Sequence, residues 1–520
     1  MPIRLFSLLF IAGLSFTVRG EEKPNILFIY TDDHSHRTIS CYPESYDWVS
    51  TPHIDALAEN GVRFHHATIG TWCMPSRAML LTGHHGFGIE SMRMEGSYPG
   101  SEYDPEKCRF WPSVFRKNGY QTAQIGKWHT GTDTGFGRDW DYQIVWNRPR
   151  YPENSRNYYY DQLIEKNGGA PEMTTGYSTD NYTRWAVEYI RGEKGRSEDK
   201  PWYLWLCYGG VHGPFTPADR HLEDYPDAQV EDPADIYPPR DGKPTYSRQV
   251  EQWEKGPSGE PVLIKGKTKG GIHADGRKTL TDWVRQVNQA VRSLDEGVGE
   301  VMAALRETGQ LENTLVVFTS DQGFAWGQHG FQVKKAPYDA NIRSPLIVHQ
   351  PGKVAAGAVC RHPVGGVDLV PTFFGAAGLD LPWKMHGRDL SSLLKNPADE
   401  WGHPVLTTFT GDSYGSSADE VPVGDDPATK QKLYMRGSVP WWVSLVDGEK
   451  KYIRTLVPDE PEELYDLGTD PEELVNLARD PRYRDEVMRL REATISELRR
   501  TGAGMADSLP AVAPLPRADQ

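Results

Sequence analysis

A chain of 520 residues is long enough for two or three domains and a sizeable core. Lys and Arg total 57 against 72 Asp and Glu, a formal charge of −15 that repels polyanions at long range and argues against a nucleic-acid partner. No run of about 18 apolar residues occurs anywhere, so no stable membrane anchor is expected.

At the N-terminus, Arg4 precedes an apolar run over residues 5–16, and the small Val18 and Gly20 stand where a signal peptidase cleaves. Residues 1–20 therefore read as a signal peptide, and the protein is expected to be exported, periplasmic or secreted. A buried first helix is the other reading. It is disfavoured because strand-like sequence begins only after the charged Glu21-Glu22-Lys23.

Beyond that point one pattern recurs: a short apolar run fit for a buried parallel strand, followed at once by polar residues. Residues 25–30 run into Thr31-Asp32-Asp33. A helix is expected over 51–60, ending at Gly61, and a short one over 76–82, between Pro75 and Gly83. Residues 122–125 lead into Gly126-Lys127-Trp128-His129, and 202–208 into Gly209-Gly210-Val211-His212. Amphipathic helices are expected over 181–191 and 283–308. Between them, residues 216–278 are polar and rich in Gly and Pro, a substrate loop or a surface excursion. Residues 315–319 lead into Ser320-Asp321-Gln322, and 345–349 form another buried strand.

From His403 the texture turns to short β-rich runs (405–409, 441–446, 451–456), followed by helical patterns over 471–478 and 483–499. Residues 21–402 thus read as a catalytic domain, 403–501 as a smaller C-terminal α+β domain, and 502–520, rich in Ala and Pro, as a disordered tail. Strand and helix in alternation give an α/β fold, a mostly parallel sheet between helices. Ligands bind beyond the carboxyl ends of such strands. The four polar clusters should converge there.

Cys73 sits next to a helix N-terminus, where free N–H groups favour an anion, and Arg77 is placed four residues on, where its fork can turn back. Asp32, Asp33, Asp321 and Gln322 offer only oxygen ligands, a set suited to a hard cation, Ca²⁺ more readily than Mg²⁺. An anionic ester bound by so acidic a protein needs a local basic pocket, for which Arg77, Lys127, His129 and His212 are candidates. The remaining cysteines, Cys41, Cys108, Cys207 and Cys360, are available for disulfides whose pairing sequence does not fix. The aromatic stretch 140–160 is either a sugar-site lining or packing.

Cys73-Met74-Pro75-Ser76-Arg77 resembles the Cys/Ser-x-Pro-x-Arg signature of formylglycine-dependent type I sulfatases, members of the alkaline-phosphatase-like superfamily. Gly119-Tyr120-Gln121-Thr122, continuing to Gly126-Lys127-Trp128-His129, is similar to their second signature. Pro24-Asn25-Ile26-Leu27, Thr51-Pro52-His53-Ile54-Asp55, Asp321-Gln322-Gly323, Arg343-Ser344-Pro345-Leu346 and Leu464-Tyr465-Asp466-Leu467 extend the likeness over most of the chain.

The resemblance implies oxidation of Cys73 to formylglycine by a formylglycine-generating enzyme. It also implies a Ca²⁺ held by Asp32, Asp33, Asp321, Gln322 and the modified residue 73. Arg77, Lys127, Lys334 and His212 would bind the sulfate, with His212 the acid for the leaving alcohol and His129 the base that releases sulfate. Lys334 fits the family's Lys-x-x-x-Tyr spacing to Tyr338; Lys335 is the neighbouring alternative. The implied activity is hydrolysis of sulfate esters, with a sulfated carbohydrate as the expected substrate. A phosphonate monoester or phosphodiester hydrolase of the same fold, and a non-catalytic glycan-binding protein, are the rival readings.

Overall fold

The computed structural model describes residues 23–91, 93–94, 101–102, 104–264, 278–435 and 439–517. The expected signal peptide lies outside the described residues. A ten-stranded sheet forms the larger part of the protein. Its strands are β1 (Asn25–Thr31), β2 (Val62–Phe64), β3 (Gln121–Trp128), β4 (Tyr142–Asn147), β5 (Gln162–Lys166), β6 (Glu172–Thr174), β7 (Trp202–Cys207), β8 (Thr314–Ser320), β9 (Leu346–His349) and β10 (Ala358–Cys360), in the order β10-β2-β9-β8-β1-β7-β3-β4-β5-β6. The central run β8-β1-β7-β3-β4 is parallel throughout, and β9 pairs antiparallel with β8 and β2.

Every residue of β1, β7 and β8 is buried, as expected for strands covered on both faces. Alternate side chains of β1 enter opposite cores. Ile26, Phe28 and Tyr30 pack with Met74 and Ala78 of α2 (Cys73–Thr82) and with Leu369 and Phe373 of a helix over Gly366–Ala377. Leu27 and Ile29 pack with Ile54 and Leu57 of α1 (Pro52–Glu59), Trp185 of α3 (Ser178–Ile190) and Val291 and Leu294 of α4 (Leu280–Glu307). Each such side chain is worth roughly 1.5–3 kcal/mol when fully buried. Helix α4 starts three residues before the expected point because Thr279 and Asp282 form a reciprocal cap at 3.1 Å.

The C-terminal part is an antiparallel sheet, β11 (Val405–Phe409), β12 (Trp442–Asp447), β13 (Lys450–Thr455) and β14 (Glu463–Asp466), with α5 (Arg484–Arg500) packed on it through Val487, Leu490 and Leu498. Two expectations need correction, and a question left open by the sequence is answered. Residues 471–478 do not form an α-helix, and only a 3-10 turn over Leu477–Arg479 touches the range: Glu473 takes φ 54° and reaches Lys451 at 2.8 Å, a buried ion pair that overrides helix propensity. Residues 502–517 are not a disordered tail. Met505 fills the C-terminal core, and the Asp459 and Ala513 amides bond the Ala511 and Glu460 carbonyls, each at 3.0 Å. The cysteines form no disulfide: all five are free thiols. No helix among the described residues is long and apolar enough to cross a membrane.

Candidate active site

The carboxyl ends of β1, β3, β7 and β8 bring the expected residues together. Asp32 and Asp33 follow β1, Lys127 lies in β3 with His129 just beyond it, His212 follows β7, and Asp321 and Gln322 follow β8. Helix α2 comes up to the same edge, and Cys73 is its first residue rather than the one before it. The Asp33 amide donates to Asp321 Oδ1 at 2.9 Å and the His34 amide to Ser320 Oγ at 2.9 Å, which ties the two acidic loops to each other.

The polar network is buried and dense. The Lys127 ammonium donates to Asp32 Oδ2. Lys334 Nζ reaches Asp33 Oδ1 at 2.5 Å and Cys73 Sγ at 2.9 Å. Between the two candidate lysines, the structure thus puts Lys334 at the site, while Lys335 adopts φ 89° and lies over the Trp72 ring at 5.6 Å. Arg77 Nη1 donates to the Lys127 carbonyl at 3.3 Å, and its Nη2 stands 3.6 Å from Asp321 Oδ2. His212 Nε2 is 3.6 Å from Asp33 Oδ2, and its Nδ1 is 2.8 Å from the Gly213 carbonyl. That acceptor requires the proton of the neutral ring to sit on Nδ1.

Carboxylate oxygens of Asp32, Asp33 and Asp321 lie within 4.8 Å of one another. Burial, then its acidic neighbour Asp32, pushes Asp321 well above the usual carboxylate range. Burial also acts on Asp32, but Lys127, His212, Arg77 and Lys334 outweigh it and hold this carboxyl well below that range. Asp32 Oδ1, Asp321 Oδ2 and Gln322 Oε1 are buried and accept no hydrogen bond, while Gln322 Nε2 is turned to donate to Asp33 Oδ1. Buried acceptor oxygens without donors, on a cluster of like charges, are the donor set of a hard cation. Asp32, Asp33, Asp321 and Gln322 fit one. Asp32, Cys73 and His212 make a second close group; burial, reinforced by Asp32, pushes the Cys73 thiol up to about 12, so an unmodified thiol there stays protonated and is a poor ligand.

The family model for sulfatases matches residues 24–379, which include every residue of this cluster. The chain belongs to the sulfatase family. This sulfatase is therefore a sulfuric ester hydrolase. It is 28% identical over 428 residues to the N-acetylglucosamine-6-O-sulfatase of Bacteroides thetaiotaomicron, a match that covers 73% of each chain. A solved structure in complex with its substrate D-glucosamine-2-N,6-O-disulfate superposes with a TM-score of 0.73 at 23% identity, over 93% of this chain and 99% of the other. The phosphonate monoester hydrolase of Agrobacterium radiobacter superposes with a TM-score of 0.66 at 22% identity, over 92% and 96%. At such identities these two structures speak for the fold alone.

Sequence reasoning about the sulfatase missed Arg148. This buried side chain follows β4 and stands 3.2 Å from His129 Nδ1. Nothing in Asn147-Arg148-Pro149-Arg150 forms a motif; the one available signal is a basic residue directly after a buried parallel strand. The aromatic stretch, left open between sugar lining and packing, is mostly packing: Trp140, Trp146, Tyr158 and Tyr159 are buried. Tyr158 stacks on His212 with centroids 4.0 Å apart, and the Tyr159 hydroxyl donates to the His212 carbonyl at 2.6 Å.

Proposed function

We propose that this sulfatase removes sulfate esters from a sulfated carbohydrate after export, using a formylglycine made from Cys73 and a Ca²⁺ held by Asp32, Asp33, Asp321 and Gln322. The observation that carries the reading is the meeting of Cys73 with those oxygen donors and with Lys127, Lys334 and Arg77 in one buried pocket. The carbohydrate is suggested by the similarity to a sulfatase of N-acetylglucosamine-6-O-sulfate, and export by the N-terminal sequence.

Formylglycine would supply the attacking oxygen, and the cation the positive charge that favours its ionised form. Arg77, Lys127 and Lys334 gather the sulfate oxygens and neutralise charge as it shifts in the transition state. Their fixed positions, held by carboxylates and a backbone carbonyl, remove reorganisation from the barrier. His212 is aimed as the acid. One proton is held on Nδ1 by the Gly213 carbonyl, so the acid is the imidazolium form, which gives its second proton, on Nε2, to the departing alcohol; burial, then Lys334, favours the neutral ring, and Asp32 favours the charged form the step needs. His129 accepts the proton whose removal lets sulfate leave. Burial, then Arg148, lowers its pKa well below the usual value, which keeps it in the accepting form.

Comparison of the purified, mature enzyme on matched sulfate, phosphate and phosphonate esters tests the reading. A higher kcat/KM on the sulfate ester is expected. A higher value on the phosphonate or phosphodiester would assign the site to that chemistry instead.

A further inference from the structure

The two histidines of the site share a support that no sequence motif announces. The Tyr158 ring lies on His212, with 4.0 Å between centroids and 5° between planes. On the same ring sits Arg148, its guanidinium carbon 4.8 Å from the Tyr158 centroid and 5.3 Å from that of Trp146. Arg148 Nη1 stands 3.2 Å from His129 Nδ1 and 3.5 Å from Nε2, and its Nε donates to the Ser155 carbonyl at 2.9 Å. Arg148, Tyr158 and His129 are all buried. An arginine that reads a substrate keeps its fork toward the ligand. This one has one arm on a carbonyl, another on an imidazole, and its flat face against a ring.

A guanidinium is always charged and only donates, so the ring nitrogen facing it must present a lone pair. Protonating that ring would set a cation against a cation. Among the other charged groups that act on His129, Lys127 and Arg77 act in the same direction and Asp32 opposes them. We propose that Arg148 is a positioning residue for His129, holding its imidazole in place and in the neutral form that accepts a proton. This rests on the reading of His129 as the base.

The test is the pH profile of kcat for the mature enzyme and for Arg148→Gln and Arg148→Lys. Removing the cation makes imidazolium easier to form, so in Arg148→Gln the acid limb moves to higher pH. Its kcat falls roughly 10–100-fold, as for other groups that orient a functional side chain, with KM little changed. Arg148→Lys keeps the charge but loses the planar fork, so its limb stays in place while kcat falls less. A loss confined to KM with an unmoved limb would make Arg148 a substrate contact and overturn the proposal, as would an unchanged kcat and limb. An NMR titration of the His129 ring needs no turnover and no variant. Wild-type His129 is expected to stay neutral well below the ordinary value of about 6.5, and a titration at that value overturns the proposal. If sulfate esters prove not to be turned over while His129 titrates low, the assigned reaction fails and the hold of Arg148 on His129 stands.

Discussion

Asp32, Asp33 and Asp321 bring three carboxyl groups into one buried pocket, and Lys127, Lys334 and Arg77 surround them. In a chain of net charge −15 this balance is local, and it turns an acidic protein into one that can receive an anionic ester. Burial alone would neutralise these side chains. Opposite charges a few ångströms away are what keep Asp32 ionised. The acid role proposed for His212 is open to a leaving-group test. On an alkyl or sugar sulfate, His212→Ala should lower kcat/KM by about 10²–10⁴-fold, because the departing alkoxide needs its proton. On an activated aryl sulfate the loss should be much smaller. Equal losses on the two substrates would remove His212 from the role of acid.

At the scale of elements, the site exists because four parallel strands end at one edge and α2 starts there. This much was legible: strands buried on both faces read as unbroken apolar runs, and each run stopped at the polar residues that form the pocket. Less legible was how β3 aims Lys127. Gly126 sits in β3 at φ 106°, and a Cβ there would meet the Cys207 carbonyl oxygen of the neighbouring β7 at 2.0 Å. Only glycine fits both that conformation and that approach. Gly126→Ala is therefore expected to cost about 1–3 kcal/mol from backbone strain alone. It should also lower activity, through displacement of Lys127 from Asp32. Urea unfolding and turnover measured together check this, and wild-type stability with wild-type activity would contradict it.

For the whole molecule, the α/β sheet with a small antiparallel C-terminal sheet was readable from the change in texture near His403. What sequence misread came from contacts between distant parts of the chain. Residues 471–478 carry a helical pattern, yet Glu473 is drawn out of it by Lys451, and Asp339 donates its amide to the same carboxylate at 2.5 Å. The Ala- and Pro-rich end looks unable to form a core of its own, but it completes one formed by β11–β14 and α5, with Met505 buried there. Arg148 was invisible for the same reason: its meaning lies in His129 and Tyr158, which only the fold places beside it.

All of the proposed chemistry depends on what residue 73 becomes. Mass spectrometry of the peptide that contains Cys73, on batches matured to different extents and assayed in parallel on an aryl sulfate, measures this directly. Turnover is expected to rise in proportion to the fraction carrying an aldehyde and to vanish in Cys73→Ala, while the fold is retained. Full activity from protein in which residue 73 is still a thiol would contradict the account.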